Sequence, residues 1–444
     1  MYTHNLPDTI KTVSKMDKEL LAQLRGEYST SFYRIFMDGK YDQDLSRMSQ
    51  KDLGTFVHEY IHYVQNISTL WGMYESMIRY QCIAEAKEEL ERINDIPLLY
   101  KFNFSETLRK RLHVLKIGLG EECFDSYSNK RIELDKGIDI SKELENYNGK
   151  EFEKYYLECY VNGVKNKVHI GAKIIKESMA SMYQRLFDAD AVSPHDIPYN
   201  VIELIAKAYY PNIAEDKFKL ISICHISLFD MTPASLLFKE LKTANDNPNI
   251  DGKILFDQFV NNSNIKLKDN SRIGIVDFYK KMSRGLIDSI SKCMGVKAQY
   301  MEQVIERANL STGFVPVITI LYGRKEPLSF QHFQTLIDYL GVPYLETTEG
   351  QVVVPGLQEN EKNKNANEVL CLILHSLIFE YFTQKQPYNA CPLFHKVCKG
   401  ISSEKGYETC IGAPWMNNLS ECRFALACKF LGLQGKKIHW NSTE

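Results

Sequence analysis

From Leu53 to Gln65 the apolar positions recur at helical spacing. Leu53, Phe56, Val57, Tyr60, Ile61 and Val64 gather on one side, and Thr55, His58, Glu59, His62 and Gln65 on the other. Ser49, followed by Asp52, reads as a capping box that starts this helix, and the pattern carries it to about Gln65. A second helix is predicted from Leu70 into "CIAEAKEELERI". Upstream, "STSFYRIFMDGKYDQDLSR" alternates weakly and takes Asp38-Gly39 as its turn, which predicts a short hairpin.

The pattern weakens between about residues 94 and 155, where dense mixed charge suggests an insertion of short helices and loops. It sharpens again at "YLECYVNGVKNKVHIG", where Asn162-Gly163 between two β-prone runs predicts a hairpin leading into the helical "AKIIKESMASMYQRLFDAD". From Pro198 to Val304 the reading is mostly helical, broken by the polar "TANDNPNIDG". A strand "GFVPVITILYG", a helix "SFQHFQTLIDYLG" and a hairpin-like "PYLETTEGQVVVPG" follow, and the last 80 or so residues read as helical, closing on "LSECRFALACKFLGL".

These elements predict an α+β chain, predominantly helical. It divides into a core over 1–195 with the charged insertion at about 94–155, a helical region over 196–310, and a mixed region over 311–444 that ends in a cysteine-rich tail.

Charge narrows the class of function. The 54 Lys and Arg nearly balance the 56 Asp and Glu, so nothing favours a nucleic-acid partner. No apolar run has the length of a membrane span, and the first residues lack the apolar core of a signal peptide, so a cytoplasmic protein is expected. Eleven cysteines, an odd number with six between Cys371 and Cys428, fit a reducing compartment better than a disulfide framework.

The polar side of the Leu53–Gln65 helix carries candidate chemistry. Two histidines at i and i+4 share a face and can both reach one tetrahedral Zn2+, and the glutamate after the first is turned toward a metal-bound water. An ordinary amphipathic helix would arrive at this HExxH pattern by chance on the order of 0.02 times in a chain with this number of histidines. The stretch "HEYIH" resembles the active-site helix of the zincin metallopeptidases. That resemblance implies zinc ligation by His58 and His62, with Glu59 as general base. The metzincin extension is absent, since Gln65 stands where its glycine would be and Ser68 where its third histidine would be.

A third ligand must therefore come from farther along, as in gluzincins, which supply a glutamate from a later helix. Glu177, Glu75, Asp188 and His169 are candidates. Glu177 is favoured because "KESMA" resembles the gluzincin glutamate helix and because Glu177, Ser181, Gln184 and Asp188 share one side of it; Glu75 is the next choice. Tyr183, His195 and Tyr199 are the nearest polar residues that could stabilise an oxyanion.

The expected function is zinc-dependent hydrolysis of a peptide bond in a specific protein or peptide substrate, with a regulatory partner possible given the length outside the core. The alternatives are a zincin-like binding or regulatory protein without turnover, and a metal-dependent hydrolase of a non-peptide substrate. In the tail, Cys391, Cys398, Cys410 and Cys422 are spaced as a second, structural metal site would allow, against the simpler reading of buried thiols.

Overall fold

The computed structural model describes residues 26–29, 34–309, 329–353 and 422–439, a few positions within these ranges excepted, together with Glu368, Leu372, Phe379 and Trp415. Two short strands, β1 (Gly26–Ser29) and β2 (Arg34–Met37), pair antiparallel, a hairpin earlier in the chain than the one predicted about Asp38-Gly39. Its connection spans residues 30–33, and Asp38-Gly39 follows β2 instead of joining the strands. Gly39 has a different task. With φ at +143° it turns the chain off the sheet so tightly that a Cβ there would stand 2.3 Å from Asp52 Oδ1, in the first turn of the next helix.

That helix is α1 (Gln50–Ser68), with Ser49 Oγ accepting from the Asp52 amide at 3.1 Å as the sequence predicts. Thr69 caps α2 (Leu70–Arg92) in the same way, its Oγ1 accepting from the Gly72 amide at 3.0 Å. A short strand β3 (Asp95–Pro97) and helix α3 (Glu106–Leu119) follow.

The charged region then departs from expectation. Ile138–Tyr147 and Lys150–Val161 form long strands β4 and β5, and with β6 (Val164–Ile170) they make a three-stranded antiparallel meander. Its turns are Asn148-Gly149 and Asn162-Gly163, and all four residues have positive φ. The charges that obscured β4 and β5 are cross-strand partners: Lys142 Nζ meets Glu153 at 2.9 Å and Lys165 Nζ meets Glu158 at 2.8 Å.

β6 runs through Gly171 into α4 (Ala172–Phe187), as its hairpin signal predicts. The helical stretch comprises α5 (Val201–Tyr209), α6 (Lys217–Ser227), α7 (Pro233–Asp246), α8 (Gly252–Asn262), α9 (Ile275–Met294) and α10 (Gln299–Asn309). A small hairpin of β7 (Asn264–Lys266) and β8 (Arg272–Gly274) interrupts it. After α11 (Phe330–Leu340), β9 (Tyr344–Thr347) and β10 (Val352–Val353) form the hairpin read from "PYLETTEGQVVVPG". Helix α12 (Arg423–Phe430) and β11 (Lys437–His439), which lies parallel to β3, end the described chain. The predicted strand over 313–323 and most of the apolar run over 367–382 lie outside the described residues.

The molecule is thus α+β and predominantly helical. Its small N-terminal sheet is completed from far along the chain: the order is β1-β2-β9-β10, with β9 parallel to β2 and Arg34 opposite Tyr344. A buried ion pair between Arg34 and Glu346 joins these two strands, and the Tyr344 hydroxyl donates to the same glutamate at 2.7 Å. Among the described residues, buried apolar side chains between Ile35 and Leu372 join in one core. Helix α1 lies inside it, with every residue from Leu53 to Ser68 buried. Its apolar side meets the sheet region and α11, where Tyr60 stacks edge-on against Phe333 and donates from its hydroxyl to the Gly341 carbonyl at 2.8 Å. Its polar side faces α4.

Candidate metal centre

A polar stripe on a buried helix needs partners, because each unpaired polar group would cost a few kcal/mol. Helix α4 supplies them. The two helices approach closely: a Cβ on Gly54 would stand 2.7 Å from Asp188 Cβ, so glycine permits the contact one turn before His58. Farther along the seam, Gln65 Nε2 donates to the Lys176 carbonyl at 3.1 Å.

Between these contacts His58, His62 and Glu177 converge, one ligand atom from each lying within 4.8 Å of the others. Both imidazole Nε2 atoms stand 3.4 Å from the same carboxylate oxygen, Glu177 Oε2. That separation exceeds a usual N–H···O hydrogen bond, about 2.7–3.2 Å. It matches the spacing of two ligands of one tetrahedral zinc, about 3.3–3.4 Å for bonds of about 2.0–2.1 Å. Two imidazole nitrogens and one carboxylate oxygen are also a donor set that zinc accepts, with a fourth position left over. The histidines are 8% and 6% exposed, whereas 22% of the Glu177 side chain is open, so the cluster is reached from the Glu177 side. Burial works to raise the Glu177 carboxyl, but the adjoining His62 and His58 outweigh it and hold the group well below the usual carboxylate range.

The other third-ligand candidates lie elsewhere. Glu75 is buried in an ion pair with Lys176 Nζ at 3.2 Å, and Arg79 contacts it at 3.4 Å. His169 packs on Tyr156 with ring centroids 5.0 Å apart, and burial, followed by Lys154, pushes its pKa down to about 4. Asp188 follows the last turn of α4, beside Gly54.

The oxyanion candidates separate as well. Tyr183 falls about 240° around α4 from Glu177 and is fully buried in the hydrophobic core. Tyr199 packs edge-on against His58 at 5.9 Å, and the His195 ring lies tilted against Tyr199 at 5.0 Å. Burial, then the charges of Glu177 and Glu59, push the Tyr199 hydroxyl up, so it stays protonated. Burial, then Arg131, push His195 down and keep its imidazole neutral. Both sit on the loop after α4, which Asp196 pins by accepting from Arg131 Nη1 at 2.8 Å and from the Ile132 amide at 2.8 Å.

Gln65 entered the sequence reading only as a departure from the metzincin pattern. Its Oε1 contacts His62 Nδ1 at 2.9 Å. Its place on the histidine face, one turn after His62, was the available signal. In the tail, Cys391, Cys398 and Cys410 lie outside the described residues. Cys422 Sγ accepts from the Ala425 amide at 3.4 Å and caps α12, and burial pushes the Cys428 thiol up to about 12.

The chain matches no protein-family model, no curated protein and no solved structure. Among the described residues no helix is long and apolar enough to cross a membrane.

Proposed function

We propose that the chain is a zinc-dependent hydrolase acting on a peptide bond of a protein or peptide substrate. The observation that carries this reading is the convergence of both Nε2 atoms of a HExxH helix, at 3.4 Å, on one oxygen of a glutamate 115 residues beyond His62.

His58, His62 and Glu177 would hold the ion, which when bound would supply Lewis acidity for activating water and a carbonyl, lowering the pKa of water toward about 7. Glu59 is buried next to His58, and its charge, like that of Glu177, acts on Tyr199. In this reading Glu59 takes the proton of the attacking water and delivers it to the departing amine. Tyr199, packed on His58, and neutral His195 beside it would supply O–H and N–H donors to the substrate carbonyl as it gains negative charge. Tyr183, in the core, takes no part.

Metal analysis of protein purified without a metal-affinity tag tests the first step. Wild type should carry zinc, His58→Ala and Glu177→Ala should lose it, and Glu75→Ala should keep it. Zinc that survives both ligand substitutions removes the site. The peptide assignment is tested by incubating zinc-loaded protein with a proteome-derived peptide mixture and reading new termini by mass spectrometry. Cleavage that persists unchanged in Glu59→Gln would separate the activity from this centre.

A further inference from the structure

Gln65 has no exposed surface, so each of its polar atoms must be satisfied from within the protein. Its Nε2 faces the Lys176 carbonyl at 3.1 Å, and a carbonyl only accepts. The amide orientation is thereby settled, and Oε1, also only an acceptor, is the atom left facing His62 Nδ1 at 2.9 Å. The proton of the His62 imidazole must then sit on Nδ1. In the neutral ring Nε2 then keeps the lone pair, as an ion shared with Glu177 at 3.4 Å would require; in the positive ring Nδ1 carries its proton as well.

We infer that Gln65 is a positioning residue for the metal centre, fixing the tautomer and ring orientation of His62 while tying α4 to α1 one residue before Glu177. The inference rests on the zinc reading above and adds a requirement to it: one ligand from each helix, His62 and Glu177, is set through one side chain. The neighbouring contacts point the same way. Lys176, whose carbonyl accepts from Gln65, returns a bond from Nζ to Asn66 Oδ1 at 3.2 Å, so consecutive residues of α1 are bonded to one residue of α4 in both directions. The other histidine is held differently. At the same spacing after His58 stands Ile61, and the buried His58 Nδ1 has no hydrogen-bond partner among the described residues. A partner to the second nitrogen of a ligating histidine is typically worth about 10–100-fold in metal affinity.

The experiment is zinc affinity by chelator competition, paired with nitrogen NMR of the histidine side chains in metal-free protein. Wild type should show His62 protonated at Nδ1. Gln65→Met, similar in length but without either polar bond, should weaken zinc by about 10–100-fold and release His62 into a mixture of tautomers. Gln65→Glu keeps an acceptor for His62 and loses the donor to Lys176, so it should recover the Nδ1 tautomer and most of the affinity. Wild-type affinity in Gln65→Met, or His62 in wild type protonated at Nε2 with Nδ1 bare, overturns the inference. If wild type binds no zinc yet His62 is protonated at Nδ1, the hydrolase reading falls while the role of Gln65 in setting His62 stands. The wild-type spectrum needs no variant to fold.

Discussion

The α1–α4 seam and the β4–β6 meander are built from the same side chains, glutamate, lysine and histidine. In the meander, Lys142 and Glu153 meet across strands with half and 38% of their side chains exposed. At the seam, Lys176 of α4 meets Glu75 of the adjoining α2 with 8% and 4% exposed. Water screens the first pair and leaves its members free to find other partners. Around the second, each charge depends on the groups fixed beside it. Residue type therefore says little about chemistry here; position in or out of water says most of it.

The largest break in that contrast is chemical. Glu59→Gln keeps the shape of the seam and removes one proton acceptor, and it should lower turnover by about 10²–10⁴-fold with zinc content unchanged, measured on the substrate that the peptide screen supplies. Next comes stability. Lys176→Met strands Glu75, with Arg79 as its remaining cation, and should cost about 3–5 kcal/mol in denaturant unfolding.

A smaller effect tests burial at the end of the same seam. His225 contacts Ser68 Oγ at 3.3 Å and is fully enclosed, and burial pushes its pKa down to about 3. Because the folded state resists the proton that the unfolded chain binds near pH 6.5, stability is lost as pH falls from about 6.5 toward 3, by up to about 1.4 kcal/mol per pH unit for this group. His225→Phe should flatten the unfolding midpoint against pH over that window by this amount; an unchanged slope would assign the acid sensitivity to other groups. Last, Lys142→Ala in the meander should change stability by less than about 1 kcal/mol, and a larger loss would show that the exposed ladder is not the screened surface described above.

The sequence made the seam more legible than the meander for a related reason. Helical spacing sorted the side of α1 that bears His58 and His62, and Ser49 marked its start. The helix face of α4 likewise singled out Glu177, which the fold brings to the histidines. What the spacing could not say is that both sides of α1 are buried, since a polar face packed on another helix reads like one facing water. Of the meander, only the hairpin about Asn162-Gly163 registered; β4 and the start of β5 are rich in charge, and Asn148-Gly149, which carries the same turn signal, was hidden among lysines and glutamates. The β2–β9 pairing lay beyond reach of any local pattern, because parallel neighbours leave no turn between them.

That pairing also imposes an order on synthesis. The histidine helix, and Glu177 after it, leave the ribosome long before Tyr344–Thr347, the strand that lies beside β2. Until that strand arrives, Arg34 lacks Glu346 and Tyr60 lacks the Gly341 carbonyl. A nascent chain thus carries His58, His62 and Glu177 while the wall behind them is unfinished, and the surroundings of the cluster are complete only in the finished chain.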